Sequence, residues 1–228
     1  MNSIPPTWQA HTSSGYSTKM DERCGHLLAE IISNKPRRHA IISDPRSLHA
    51  ELFSDFTPPG YSEYAGTYRG AVNTTLADRQ ISAPSQLHPG TQYEYAAPRN
   101  VEGMMDKLFT QTRDFHAEAT DDYQRLLALA YHFCWFGKIH PFLDGNGHVQ
   151  RTLFAAYATD VGFTLSNRFA IHPRPYDRLL GTALEIFTRA EGNSWQGELP
   201  LVGEYLAFFL GGAFDAPRKN LATASPED

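Results

Sequence analysis

A predominantly helical fold, interrupted once by a short hairpin or ordered loop, is what this sequence predicts, and three observations predict it. Apolar residues recur at helical spacing along almost the whole of the chain after Pro98. Between Tyr61 and Pro98 that period disappears into Gly, Pro, Ser and Thr, with Tyr64, Tyr68, Val72, Tyr93 and Tyr95 among them. The composition, 41% hydrophobic and 20% charged over 228 residues, is that of one globular unit able to bury a core without disulfide staples.

The elements follow in order. Residues 1–19 are polar, with Pro5-Pro6 and Ser13-Ser14-Gly15, and read as a flexible leader to a single domain over 20–214; residues 215–228 read as a flexible tail. The stretch 21–33 carries Leu27, Leu28, Ile31 and Ile32 at helical spacing, and Asn34-Lys35-Pro36 breaks it. Ser43 or Asp44 caps a second helix, with Pro45 in its first turn and Leu48, Leu52 and Phe53 on its apolar side; Pro58-Pro59-Gly60 ends it. Five more helices are expected over 101–115, 120–139, 147–161, 175–189 and 198–210. Trp135, Phe136, Tyr157 and Phe163 read as core, Tyr205, Phe208 and Phe209 as the packing face of the last helix, and His172-Pro-Arg-Pro175 as a helix entry without chemistry.

The net charge of -5, with no block of lysine or arginine, argues against a nucleic-acid partner. No stretch reaches the roughly 18 apolar residues of a membrane span, and the N-terminus lacks a charged start with an apolar run behind it, so the expected place is the cytoplasm, with no membrane partner; the alternative is secretion into a host cell by a signal that composition does not show. Cys24 and Cys134 have no CxxC spacing and are expected as free thiols.

Chemistry is concentrated in His140-Pro-Phe-Leu-Asp-Gly-Asn-Gly-His-Val-Gln-Arg151, a polar loop between two apolar helices. Pro141 disfavours helix at His140, which puts an imidazole, a proton acceptor near neutral pH, at the entry to the loop. Asp144 is a hard oxygen ligand of the kind Mg²⁺ takes when it also holds phosphates. Gly145, Asn146 and Gly147 turn the backbone into a helix start whose free amides make an anion cradle, and Arg151, a turn inside, can add a forked cation over the same mouth. Turn geometry by itself explains Asn and Gly, but neither the histidine nor the arginine. A second reading makes His140, Asp144 and His148, with His132, ligands of a transition metal in a hydrolase, although Pro141, Gly145 and Gly147 break the helix that such a ladder needs.

This stretch resembles the signature of Fic proteins, His-x-Phe-x-Asp/Glu-Gly-Asn-Gly-Arg-x-x-Arg, at His140, Phe142, Asp144, Gly145, Asn146, Gly147 and Arg151, and departs from it at His148. Leu48-His-Ala-Glu-Leu-Phe53 and Tyr64-Ala-Gly-Thr-Tyr-Arg-Gly70 are similar to two further family segments. The resemblance implies an all-α, Fic-like helical bundle with a small β-hairpin flap, and an AMP-transferring enzyme that uses ATP and Mg²⁺ and modifies a hydroxyl of a target protein. By position, His140 would be the base and Asp144 the Mg²⁺ ligand. Gly145, Asn146 and Gly147 would form the anion hole, with His148 and Arg151 toward the phosphates and a flap within 70–98 aligning the target. His148 replaces an arginine with a shorter group of fewer donors, which leaves UMP, phosphocholine or phosphate transfer, AMP removal, or a weakened binding module as alternatives. The family's inhibitory Ser/Thr-x-x-x-Glu-Gly/Asn pattern is met nowhere in full, so the expectation is either restraint by a separate antitoxin-like protein or an activity weakened enough by His148 to need none.

Overall fold

The helix 122–139 is apolar on nearly every face, the pattern of a helix with neighbours all round. In the computed structural model, which describes residues 5–172, 178–191 and 194–211, it is the central element, α5 (Asp122–Ile139), started by Asp121, whose carboxylate accepts the Gln124 amide at 2.8 Å. Around it pack α4 (Val101–Glu118), α6 (Asn146–Asp160), α7 (Arg178–Arg189) and α8 (Leu199–Ala207). α6 is buried in turn by α1 (Tyr16–Ser33), α2 (Lys35–Ser43) and α3 (Pro45–Phe53). The loop joining α5 to α6 is therefore gripped between two helical layers.

Phe136 and Tyr157 lie in the core, while Trp135, Phe163 and Tyr205 are half-buried against it. Phe209 is buried and Phe208 is exposed. Cys24 and Cys134 are free and buried, and burial pushes the Cys24 thiol up to about 12, which removes it as a nucleophile at neutral pH.

Two helical expectations change at the N-terminal end. The first helix begins at Tyr16, and Asn34-Lys35-Pro36 does not simply break it: Asn34 Oδ1 accepts the Arg37 amide at 3.1 Å and starts α2, with Pro36 in the first turn. Asp44 likewise caps α3 by accepting the Arg46 amide at 2.9 Å.

The larger change concerns the expected leader over 1–19, which is packed from Pro5 onward. Trp8 is 7% exposed, wedged beside His49, Phe53 and Tyr64, and its indole N–H donates to Phe56 O at 2.7 Å. Arg79 ties the same strap through Pro5 O and Pro6 O at 3.1 and 3.0 Å. Trp8 and buried Ala10 anchor a segment that is otherwise mostly polar.

The helical period fails where expected, and β1 (Ser82–Pro84) pairs antiparallel with β2 (Gln92–Glu94), Ala83 facing Tyr93. The hairpin's turn is clasped by buried Glu185 on α7. Its carboxylate accepts Ser85 Oγ at 2.5 Å, the Gln86 and Leu87 amides at 2.6 and 3.2 Å, and Arg189 Nε at 2.8 Å. These bonds outweigh the desolvation that would raise its pKa and hold the carboxyl down at about 2. The expected tail over 215–228 lies outside the described residues, as does 173–175 of the helix entry. Among the described residues, no helix is long and apolar enough to cross a membrane.

Candidate active site

At the end of α5 the chain leaves helical geometry on His140, the C-cap, which takes φ 51 and ψ 63. A side chain other than glycine in this left-handed conformation is strained and needs surroundings that enforce it. Arg69 supplies them. Its guanidinium, 1% exposed, donates to His140 O and Ile139 O at 3.0 Å each, to Arg79 O at 2.9 Å and to Ala96 O at 3.1 Å, while its own amide donates to Pro141 O at 2.8 Å. The cation sits at the negative end of α5, where orphan carbonyls collect. Burial lowers its pKa to about 10, so it stays charged at neutral pH. Above His140, the Tyr95 ring, one residue past β2, stacks on the imidazole at 3.8 Å and 15°. The flap thus sets the plane of the histidine ring.

The loop closes on itself through Asn146. Its side chain accepts the Phe142 amide and donates to Phe142 O, both at 2.8 Å, and is 3% exposed. The Asn146 side chain thus clips the loop, and its backbone amide is among the first of α6. Gly145, at φ 75, opens α6, and a Cβ there would lie 2.5 Å from the Phe53 ring. His49, buried in α3 and stacked on Phe142 at 3.8 Å, braces the loop from below. Its Nδ1 accepts the Gly66 amide at 2.8 Å, so Nε2 carries the proton and donates to Asp144 O at 3.0 Å. Burial pushes its pKa down to about 3 and keeps it neutral.

Beside the loop lies a cavity of about 290 Å³ lined by His11, Tyr16, Asp144, Gly145, Asn146, Gly147, His148 and His172. The amides of Asn146 and Gly147 are the first of α6 and have no carbonyl a turn back to bond. Asp144 presents its carboxylate here, with Oδ1 accepting the Gly145 amide at 2.7 Å and Oδ2 accepting the Ala10 amide at 2.8 Å. Each oxygen keeps a second lone pair. One carboxylate beside an anion cradle fits Mg²⁺ that draws its other ligands from phosphates and water.

His148 also faces the cavity, its Nε2 2.9 Å from His172 Nδ1. Arg151, by contrast, is 1% exposed and absent from the cavity lining; its Nε donates to Ile171 O at 2.6 Å. The guanidinium is buried on the face that α6 turns toward the core, near enough to His172 of the cavity lining to act on its charge. His140 is likewise not part of the lining and lies under the flap.

The transition-metal alternative finds no geometry. His140 stacks under Tyr95, His148 pairs with His172, and buried His132 has its Nδ1 3.0 Å from Thr112 Oγ1. Among the described residues no three His, Cys, Asp or Glu side chains converge as ligands. Sequence reasoning passed over His49, Tyr95, His11, Tyr16 and His172. Of these, His49 lies inside a segment that resembles the family and Tyr95 within the 70–98 stretch where the resemblance implies a flap; the others carried no signal.

Comparison with known proteins bears on the whole region. The model of the Fic/DOC family matches residues 42–158. Among solved structures, a Fic domain containing signaling protein from Bacteroides thetaiotaomicron superposes with a TM-score of 0.57 at 16% identity, over 83% of this chain and 65% of that one. This chain thus spans about two thirds of the length of that protein. The N-terminal Fic domain of a Bartonella effector protein from Bartonella sp. AR 15-3 gives 0.56 at 17% identity, over 92% and 88%. The BepC protein of Bartonella tribocorum, solved with bound AMPPNP, gives 0.51 at 16% identity, over 88% and 97%. At these identities the likeness is one of fold.

Proposed function

This chain belongs to the Fic/DOC family, and from that premise we propose that it is a Mg²⁺-dependent nucleotidyltransferase that moves AMP from ATP onto a hydroxyl side chain of a target protein. The observation that carries the reading is the division of labour on one loop. His140 stands outside the helix under Tyr95, and a few residues on, Asp144 and the first amides of α6 line one cavity. Base and phosphate cradle are separate yet held by the same braces. The AMPPNP bound to the similarly folded BepC protein supports nucleotide use.

In the step proposed, the target oxygen attacks the α-phosphorus, the bond to pyrophosphate breaks, and the hydroxyl proton passes to His140. The left-handed C-cap and the Tyr95 ring hold that imidazole in place, and the Asn146 and Gly147 amides stabilise phosphate charge. Mg²⁺, held by Asp144 and the donor phosphates, would neutralise charge on the leaving group. The target segment would lie along the hairpin edge by strand addition.

The test is transfer of label from α-labelled ATP with Mg²⁺ to proteins of a lysate and to the chain itself, with UTP, CDP-choline and γ-labelled ATP in parallel. His140→Asn is the informative variant, because asparagine tolerates the left-handed backbone while lacking the base. It is expected to lower transfer by about 10³-fold or more while changing nucleotide affinity less than about threefold. Equal transfer by wild type and His140→Asn would remove the histidine from its role. A nucleotide-binding module without transfer is the second reading, favoured by the two amides already bonded to Asp144. Binding without labelling from any donor would select it.

A further inference from the structure

The place where this chain leaves the Fic signature is also where the structure gathers imidazoles. His148, in the first turn of α6, lines the cavity beside the cradle amides. Its Nε2 lies 2.9 Å from His172 Nδ1, the two rings 5.1 Å apart and 21° from parallel. His172 Nε2 in turn faces Asp21 Oδ1, on α1, at 3.8 Å. Tyr16 sets its ring edgewise to both imidazoles, at 6.4 Å and 87° from His148 and 6.0 Å and 82° from His172. Three residues from separate parts of the chain form one line, from Asp21 through His172 to His148, ending at the cavity.

We infer that His148 and His172 form a protonatable phosphate-recognition pair in the position of the signature's arginine, with His172 as a positioning residue anchored by Asp21. The inference rests on the reading of this cavity as the donor's phosphate site. A bond between two imidazole nitrogens needs one proton between them. The Asp21 carboxylate favours a proton on the His172 nitrogen that faces it, which leaves His172 Nδ1 as acceptor and makes His148 Nε2 the donor. A second proton on the His148 ring then creates an imidazolium whose charge is supported through His172 by Asp21. That is the logic by which a carboxylate behind one histidine stabilises its cation.

Other charged and titratable groups around the pair act in known directions. Burial is the main influence lowering the His172 pKa, Asp21 opposes it and Arg151 adds to it. Among the described residues, Tyr16, His11 and Asp144 also line the cavity. A phosphate group seated against His148 and the Asn146 and Gly147 amides stabilises the imidazolium, so binding and proton uptake are coupled. An arginine there would bind with no such coupling, because it is charged at every relevant pH.

The experiment is isothermal titration of MgATP and, separately, of inorganic pyrophosphate at about pH 6, 7 and 8, in buffers of different ionisation enthalpy to count protons. Each ligand is compared across variants, so its own titration cancels. For wild type, affinity is expected to rise about tenfold more between pH 8 and pH 6 than for His148→Arg, with uptake of close to one proton. His172→Gln and Asp21→Asn are expected to lower affinity at pH 6 by about tenfold and to flatten the profile, with thermal melts reporting whether each variant folds. Asp21→Asn keeps the test alive if His172→Gln does not fold. A pH profile shared by wild type, His148→Arg and Asp21→Asn overturns the pair. So does pyrophosphate that binds at no pH. MgATP binding with no pH dependence removes the pair and leaves the donor site standing, whereas pH-coupled pyrophosphate binding without MgATP binding keeps the pair and removes the nucleotide reading.

Discussion

At Gly145 two constraints coincide: the backbone is left-handed, and the space a Cβ would take is filled by the Phe53 ring 2.5 Å away. Gly145→Ala therefore meets conformational strain of about 1 kcal/mol and a clash on top of it, and is expected to lower stability by about 2–4 kcal/mol in urea denaturation. Adding Phe53→Leu should recover the clash and leave the strain, so a double variant no more stable than Gly145→Ala would contradict the steric part. His140 shows the opposite case, in which an unfavourable backbone is kept because Arg69 gathers the carbonyls around it. Residues that resemble a family signature thus divide by role. Asn146, His49 and Arg69 build the loop, while His140, Asp144 and His148 face outward from it.

At the scale of elements, the hairpin is the part tied most narrowly to the rest. Its strands are three residues each and, among the described residues, pair with one another alone, so its position over His140 depends on the Glu185 clasp, on Tyr95 and on Ala96, whose carbonyl accepts from Arg69 and whose amide donates to Lys138 O. Replacing Glu185 with Ala leaves the Gln86 and Leu87 amides and Arg189 without their acceptor. Hydrogen exchange of the amides within 82–94 is expected to quicken by roughly tenfold or more while those of α5 are unchanged. Uniform quickening across both would mean that Glu185 supports the bundle and has no special hold on the flap. The N-terminal strap is the second such element: Trp8 anchors it, and through Ala10 it reaches the carboxylate at the centre of the site.

For the molecule as a whole, the buried histidines set the response to acid. His49 and His132 are held down at about 3 and His116 at about 4, each chiefly by burial. In the unfolded chain these groups titrate near 6.5. Above that pH both states leave them neutral and their contribution is fully present; as pH falls below it the unfolded chain takes up protons that the fold refuses, and stability declines toward pH 4. Each residue costs about 1.4 kcal/mol per pH unit in that window, so about 3–4 kcal/mol should be lost between about pH 7.5 and pH 5.5. Urea midpoints at the two pH values measure it, and equal midpoints would show that these rings are protonated in the folded state.

Much was legible in the sequence alone, because caps, prolines, turn glycines and helical periodicity act over a few residues: the starts of α3, α4 and α6, the end of α5, the break in period that holds the hairpin, and the loop from His140 to Arg151 were all local signals. The spacing within that loop carried the family resemblance for the same reason. What tertiary structure decided lies at long separation, where no local pattern exists. The Ala10 amide meets Asp144 across 134 positions, His49 meets the same residue across 95, and His172 meets His148 across 24. Burial also sorted the polar residues, turning Arg151 and the Asn146 side chain inward and leaving His148 at the cavity. Which polar side chains line the cavity is decided by packing between helices, and one chain's order of residues does not record it.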